Sequence, residues 1–157
     1  MEKQHPKHII AVSAYITDDD GEVLLVRTHD RADTWESPGG QVEEGEPLDQ
    51  AVCREVYEET NIEIDLIGIS GVYYSVSKNL LSVVFKATYK CGDIDIQVDE
   101  IQDAAFIPLN ESNINDYITR PHMKSRTLDA MKATHTVPYE IWDARAQQRI
   151  GRLDKGR

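Results

Sequence analysis

The stretch from Pro47 to Thr60 puts carboxylates where a packing helix needs hydrocarbon. Pro47 suits a first helical position and no Gly or Pro interrupts the residues after it, so the spacing predicts a helix over 47–60. Leu48, Ala51, Val52 and Val56 recur at i, i+3, i+4 intervals and form an apolar stripe that should face a sheet. Glu55 falls inside that stripe, Glu59 lies one turn further along it, and Glu58 sits at its edge. Carboxylates at this spacing repel one another. They lose hydration near a core face, and the C-terminal end of the helix dipole disfavours them. A divalent cation offsets all three costs together, and a hard ion such as Mg²⁺ takes oxygen ligands. For the helix in isolation, a solvated acidic face accounts for the pattern equally well.

The flanking residues supply a sheet. His8 to Ile16 and Glu22 to Thr28 read as strands joined by the turn Asp18-Asp19-Asp20-Gly21, an opening hairpin. His29 to Gly45 reads as loop, with Pro38-Gly39-Gly40 near its middle. Ile62 to Ile69, Val72 to Val76, Leu80 to Tyr89 and Ala104 to Pro108 read as further strands, and Met123 to Ala133 as a second helix. Strands interleaved with two helices predict an α/β fold, an α/β/α sandwich with a mixed β-sheet between helices. Residues 1–135 form the expected domain, and 136–157 an extension of uncertain structure. Within it, Val137 to Asp143 reads as a strand or an irregular docking segment. Arg145, Arg149, Arg152, Lys155 and Arg157 make the end basic, with a solvated or frayed terminus as the default.

From Gly40 to Ile62 the sequence is GQVEEGEPLDQAVCREVYEETNI. This resembles the Nudix box, G-x5-E-x7-R-E-U-x-E-E-x-G-U, where U is a bulky apolar residue. Gly40, Glu46, Arg54, Glu55, Val56, Glu58, Glu59 and Ile62 match. Asn61 stands where the family has Gly, at what should be a left-handed helix C-cap. Asn is the next most tolerant residue there, at a cost of about 1 kcal/mol. Trp35-Glu36-Ser37-Pro38-Gly39-Gly40 is similar to the family's lead into the box, and by element order the likeness runs from the first hairpin to Leu109.

The resemblance implies a hydrolase that uses Mg²⁺, with Mn²⁺ as the alternative ion, to cut a phosphoanhydride bond in a nucleoside diphosphate linked to another group. By motif position, Glu58 and Glu59 are candidate metal ligands. Glu55 is a third ligand or the group that accepts the attacking water's proton, and the backbone carbonyl of Gly39 completes the set. Gly39 and Gly40 should let the chain turn closely beneath the phosphates. Arg54, four residues before Glu58, should orient it by an ion pair, and Glu46 should be structural. Asp99 to Phe106 resembles the acidic loop before a late family strand, which makes Glu100 an added ligand or the general base. The choice between Glu55 and Glu100 as base stays open. Arg27, and Arg31 with it, are candidates for a phosphate or nucleoside contact, since the guanidinium fork suits phosphate. Cys53 and Tyr57 read as packing residues, and the histidines carry no ligand spacing.

Charge narrows the partners. The formal net charge of the 157 residues is −11, which argues against nucleic-acid backbone as a partner. It leaves room for a small-molecule nucleotide substrate, whose charge a local basic pocket or a bound cation can meet. No run is long and apolar enough to span a membrane. MEKQHPKHII lacks a signal peptide's apolar segment. Cys53 and Cys91 read as reduced thiols of a cytoplasmic protein. The resemblance adds a homodimer as a candidate assembly. Among substrate subgroups, Ser77 and Lys78 stand where ADP-ribose hydrolases carry a proline, and Asn79 stands where the diadenosine-polyphosphate group carries a tyrosine. Elimination leaves a MutT-like nucleoside triphosphate pyrophosphohydrolase. An ADP-ribose or nucleotide-sugar pyrophosphatase, a non-catalytic nucleotide sensor and an enzyme acting on RNA 5′ ends are the alternatives. Tyr73 and Tyr74 are candidates to stack on a base, with sheet-surface packing the plainer reading.

Overall fold

The computed structural model describes residues 4–154, so Lys155 and Arg157 of the basic tail lie outside the described residues. Strand β1 (Ile9–Thr17) turns through Asp18, whose Oδ1 accepts from the Asp20 and Glu22 amides, into β2 (Val23–Thr28). The long loop that follows contains a short strand, β3 (Gly39–Gln41), before helix α1 (Leu48–Thr60). Then come β4 (Glu63–Ser75), β5 (Leu80–Cys91), β6 (Ile101–Ile107) and helix α2 (Pro121–Lys132). The main sheet runs β4-β5-β1-β2-β6, with β3 paired to β1. The β1–β5 pair is parallel and the others antiparallel, so the sheet is mixed, as expected.

Alternation along the strands splits the core in two. Ala14, Ile16, Leu24, Val83 and Phe85 pack with Ala51, Val52 and Val56 of α1. Tyr15, Val23, Leu25 and Val84 point the other way and pack with Ala130, Leu128 and Met131 of α2. One helix therefore covers each face. The predicted stripe on α1 is the buried one, with Ala51, Val52 and Val56 fully inaccessible.

Four details differ from the sequence reading. Pro47 caps α1 in an extended conformation and lies just before the helix, not in its first turn. Residues 62–69 and 72–76 are one strand, whose pairing with β5 shifts register near Gly68 and Gly71. Tyr57 is 52% exposed and does not pack. Where a frayed end was the default, the described part of the tail holds a hairpin: β7 (Tyr139–Asp143) and β8 (Gln148–Leu153) pair on the α1 side, where Tyr139 and Leu153 lie against the core.

Candidate active site

Strand β1 is a fork. It pairs with β3 along Ala11–Ser13 and with β2 at Thr17, and the C-terminal half of α1 lies beside the split. The two glycines of β3 are required here by space and not by a left-handed turn, because both are in extended backbone. A Cβ on Gly39 would meet the Val12 carbonyl oxygen at 2.1 Å, and one on Gly40 would meet the Glu55 carboxylate at 2.5 Å. Both glycines lie in a strand and not in the expected turn: Gly39 makes room for the β1 backbone, and Gly40 for the Glu55 carboxylate.

Glu59 is 5% exposed, and its Oε1 accepts the Gly39 amide at 2.8 Å. Burial pushes its carboxyl up to about 8. The Gly39 amide opposes that shift, and the charges of Glu55, Glu36 and Glu100 add to it. Glu55, half-buried, is also pushed up by burial, against the pull of Arg54. Glu100 arrives from the β5–β6 loop. The Asp95 and Gln97 amides donate to the carbonyls of Thr60 and Glu59, answering α1's last turn and docking the loop on the helix end. The Gln97 side chain accepts from the Asp99 and Glu100 amides, and the His29 ring meets the Val98 carbonyl at 2.8 Å. Glu55, Glu59, Glu100, Asp99, Gly39 and Gly40 thus line one cavity of about 300 Å³, with His29 and Arg31 on its wall.

Glu58 faces away from this cavity. Its carboxylate is 55% exposed and lies 3.3 Å from Arg54 Nη1, the ion pair expected from their spacing. Arg54 does more than orient Glu58. It grips Glu46 with two bonds, Nε to Oε2 at 2.7 Å and Nη2 to Oε1 at 2.9 Å, and donates to Glu55 Oε1 at 3.1 Å. That grip holds the Glu46 carboxyl down at about 2, and Glu46 in turn accepts the Glu43 amide. As these side chains stand, no three acidic, His or Cys groups among the described residues converge on one point. The donor set nevertheless fits a divalent cation: hard oxygens, two of them half-buried or buried, with proton affinities raised by burial and by mutual repulsion.

Arg27 is not brought to this place. Its guanidinium lies 5.0 Å from the Trp35 ring centroid and 3.8 Å from Asp103, and it lines neither the carboxylate cavity nor the groove beside it. Its β2 position pairs with Asp103 of β6, which draws the side chain to that edge. Arg31 lines both, held by Glu36 at 2.8 and 2.9 Å. The sequence reading names Glu36 only within the lead into the box and gives His29 no role, since a single acid or imidazole in a loop has no spacing to betray it. The groove, of about 570 Å³, shares Arg31, Gly39 and Gly40 with the cavity and crosses the α2 face of the sheet. Tyr74 lines it, whereas Tyr73 lies beneath Arg126.

A family model described as the NUDIX domain matches residues 7–126. The chain belongs to the Nudix family. A MutT-like protein of Streptomyces ambofaciens is 36% identical over 81 residues, 52% of each chain. An NAD-capped RNA hydrolase NudC of Haemophilus influenzae is 35% identical over 124 residues, 73% of this chain and 47% of its own. The chain thus spans about half the length of the curated relatives it matches. The crystal structure of a MutT protein from Methanosarcina mazei Go1 superposes with a TM-score of 0.63 at 28% identity, over 83% of this chain and all of that one. The matched domain ends inside α2, so the β7–β8 hairpin lies beyond it. No helix among the described residues is long and apolar enough to cross a membrane.

Proposed function

We propose that this chain hydrolyses a phosphoanhydride bond in a nucleoside diphosphate linked to another group, with Mg²⁺, or Mn²⁺ in its place. One observation carries the reading: buried and half-buried carboxylates from α1, together with Glu100, share a cavity that opens into a groove large enough for a nucleoside. Glu55, Glu58, Glu59 and Glu100 would hold the ion, Glu58 after release from Arg54. When bound, it supplies positive charge to the phosphate oxygens and acidifies a water. Arg54 and Glu46 fix the pitch of α1 against the preceding loop and so aim Glu55. Glu59 is positioned by the Gly39 amide, and Arg31 meets phosphate at the mouth of the groove. Either Glu55 or Glu100 takes the proton as water attacks, since both border the same cavity.

For the substrate, the likeness to proteins named MutT supports a nucleoside triphosphate. The likeness to NAD-capped RNA hydrolases, and to a structure named as a bifunctional NMN adenylyltransferase/ADP ribose pyrophosphatase, supports a second reading, a diphosphate bridging two groups. A panel of canonical and oxidised triphosphates, ADP-ribose, nucleotide sugars and diadenosine polyphosphates, with and without Mg²⁺, separates them. Turnover should require the ion and fall in Glu58→Gln and Glu59→Gln by more than the roughly 10–100-fold that loss of a supporting partner costs. A folded, Mg²⁺-binding protein that turns over nothing would instead be a nucleotide sensor.

A further inference from the structure

The groove is basic in an acidic protein. Arg31, Lys78, Arg120 and Arg126 line it against a single carboxylate, Glu36, while the chain as a whole carries −11. Two of these cations are answered within the fold, Arg31 by Glu36 and Arg120 by Asp33 at 2.9 Å. Lys78 and Arg126 make no ion pair among the described residues. Arg126 is half-buried, its guanidinium 5.3 Å from the Tyr73 ring centroid and its Nη1 3.3 Å from the Ser82 hydroxyl. His122 lies among them: burial, then the charges of Arg126, Lys78 and Arg120, lower its proton affinity.

These cations stand apart from the carboxylates. Gln41, Ala11, Ser82 and Tyr73 lie in line across β3, β1, β5 and β4. Strands lie about 4.8 Å apart, so Ser82 is roughly 10 Å from β3, and Tyr73 is one strand further. Adjacent phosphates of one anhydride share an oxygen and cannot occupy both ends. A sugar between two phosphate groups can bridge them. A neutral base at the far end would leave the half-buried charge of Arg126 unanswered, whereas a phosphate suits its fork.

We propose that the groove selects substrates carrying a second phosphate group on the sugar of the nucleoside, held by Arg126 and Lys78 apart from the diphosphate. This rests on the reading that the carboxylate cavity takes the scissile anhydride. The second phosphate can be a monoester of a small nucleotide or the diester to a following nucleotide, and the shared chemistry is the sugar phosphate.

The test is calorimetric binding, in EDTA, of ADP, its 2′-phosphate and 3′-phosphate forms, and a 5′-diphosphorylated dinucleotide. Wild type and the variants Arg126→Gln and Lys78→Gln are compared, the second lying in an exposed turn where folding is not at stake. At least one sugar-phosphorylated ligand should bind wild type about tenfold tighter than ADP, the size of one charge-assisted contact. That ratio should fall toward one in both variants. A preference for a monoester marks a small nucleotide, and an equal or greater preference for the dinucleotide marks an RNA end. Equal affinity for all ligands in wild type, including no binding of any, overturns the proposal, as does a ratio that neither variant changes. Because binding is read without turnover, failure here is distinct from an absence of hydrolysis in the substrate panel.

Discussion

Arg54 and Glu46 show how far a residue's role can be read from spacing. Their matching positions in the box predicted support, and Arg54 to Glu58 was visible as an i, i+4 pair. The stronger contact, the two-bond grip on Glu46, was not, because Glu46 reaches Arg54 from the loop before α1 and only the path of that loop brings them together. Arg31 with Glu36 escaped notice for the same reason. The grip has a consequence for acid stability. Glu46's side chain is 14% exposed, and its carboxyl is held at about 2 against an ordinary 4.5. A depressed folded value means the unfolded chain binds the proton first. The contribution is therefore present in full above about 4.5 and is lost as pH falls from there through about 2. Glu46→Gln should be less stable than wild type at neutral pH, with the gap closing across that window. Urea midpoints for both proteins down the acid range check it, and a gap that stays constant would show that charge is not what Glu46 contributes.

At the scale of elements, legibility followed local chemistry. Helix α1 was readable to within a residue because stripe and punctuation agreed. Asn61 takes the left-handed conformation expected of it, φ 66, and its amide donates to the Tyr57 carbonyl. Its side chain also reaches the Asp93 carbonyl at 3.1 Å, a bond Gly could not make. Strand β4 read as two, split at Ser70-Gly71, because Gly71 resembles a break. In the fold Gly68 makes room for Thr136 and Gly71 for the Tyr73 hydroxyl. The terminal hairpin was hidden by its turn, where Gln147 adopts φ 53 with no Gly or Asn to announce it. The hairpin is tied to helix α1. The Leu48 amide, one of α1's otherwise unpaired N-terminal donors, donates to the Tyr139 hydroxyl at 2.8 Å, and the Tyr139 ring meets Phe85 edge-on. Tyr139→Phe should cost about 1 kcal/mol by stranding that amide. Tyr139→Ala should cost more than twice as much by also removing the ring, in a range of about 3–5 kcal/mol when burial is complete. Denaturant unfolding checks the pair; equal, negligible losses would show the hairpin to be a passenger.

For the molecule as a whole, the sandwich and the site are one arrangement. The sheet must bury the apolar face of α1, and that same packing carries Glu55 and Glu59 into the fork beside β3. Without a cation, packing and electrostatics are therefore in conflict: the core gains from the stripe and loses from the acid within it. Resolving the conflict by binding should appear as stability. At a hundred times the dissociation constant a ligand confined to the folded state adds about 2.7 kcal/mol. For a chain of this size that is a rise in melting temperature of about 5–10 °C. Glu59→Gln should melt higher than wild type in EDTA, by about 2–4 °C for a gain on the order of 1 kcal/mol, because an amide can still accept from Gly39 and, unlike a carboxyl pushed up to about 8, needs neither a buried charge nor a proton taken up on folding. The same variant should lose most of the rise with Mg²⁺ and most of the turnover. Thermal melts of both proteins across a Mg²⁺ series decide it. If the variant melts lower in EDTA and still answers to Mg²⁺, Glu59 is a structural acid and the ion is held elsewhere. If it melts higher and ignores Mg²⁺, the helix carries an acid that costs stability until a cation binds.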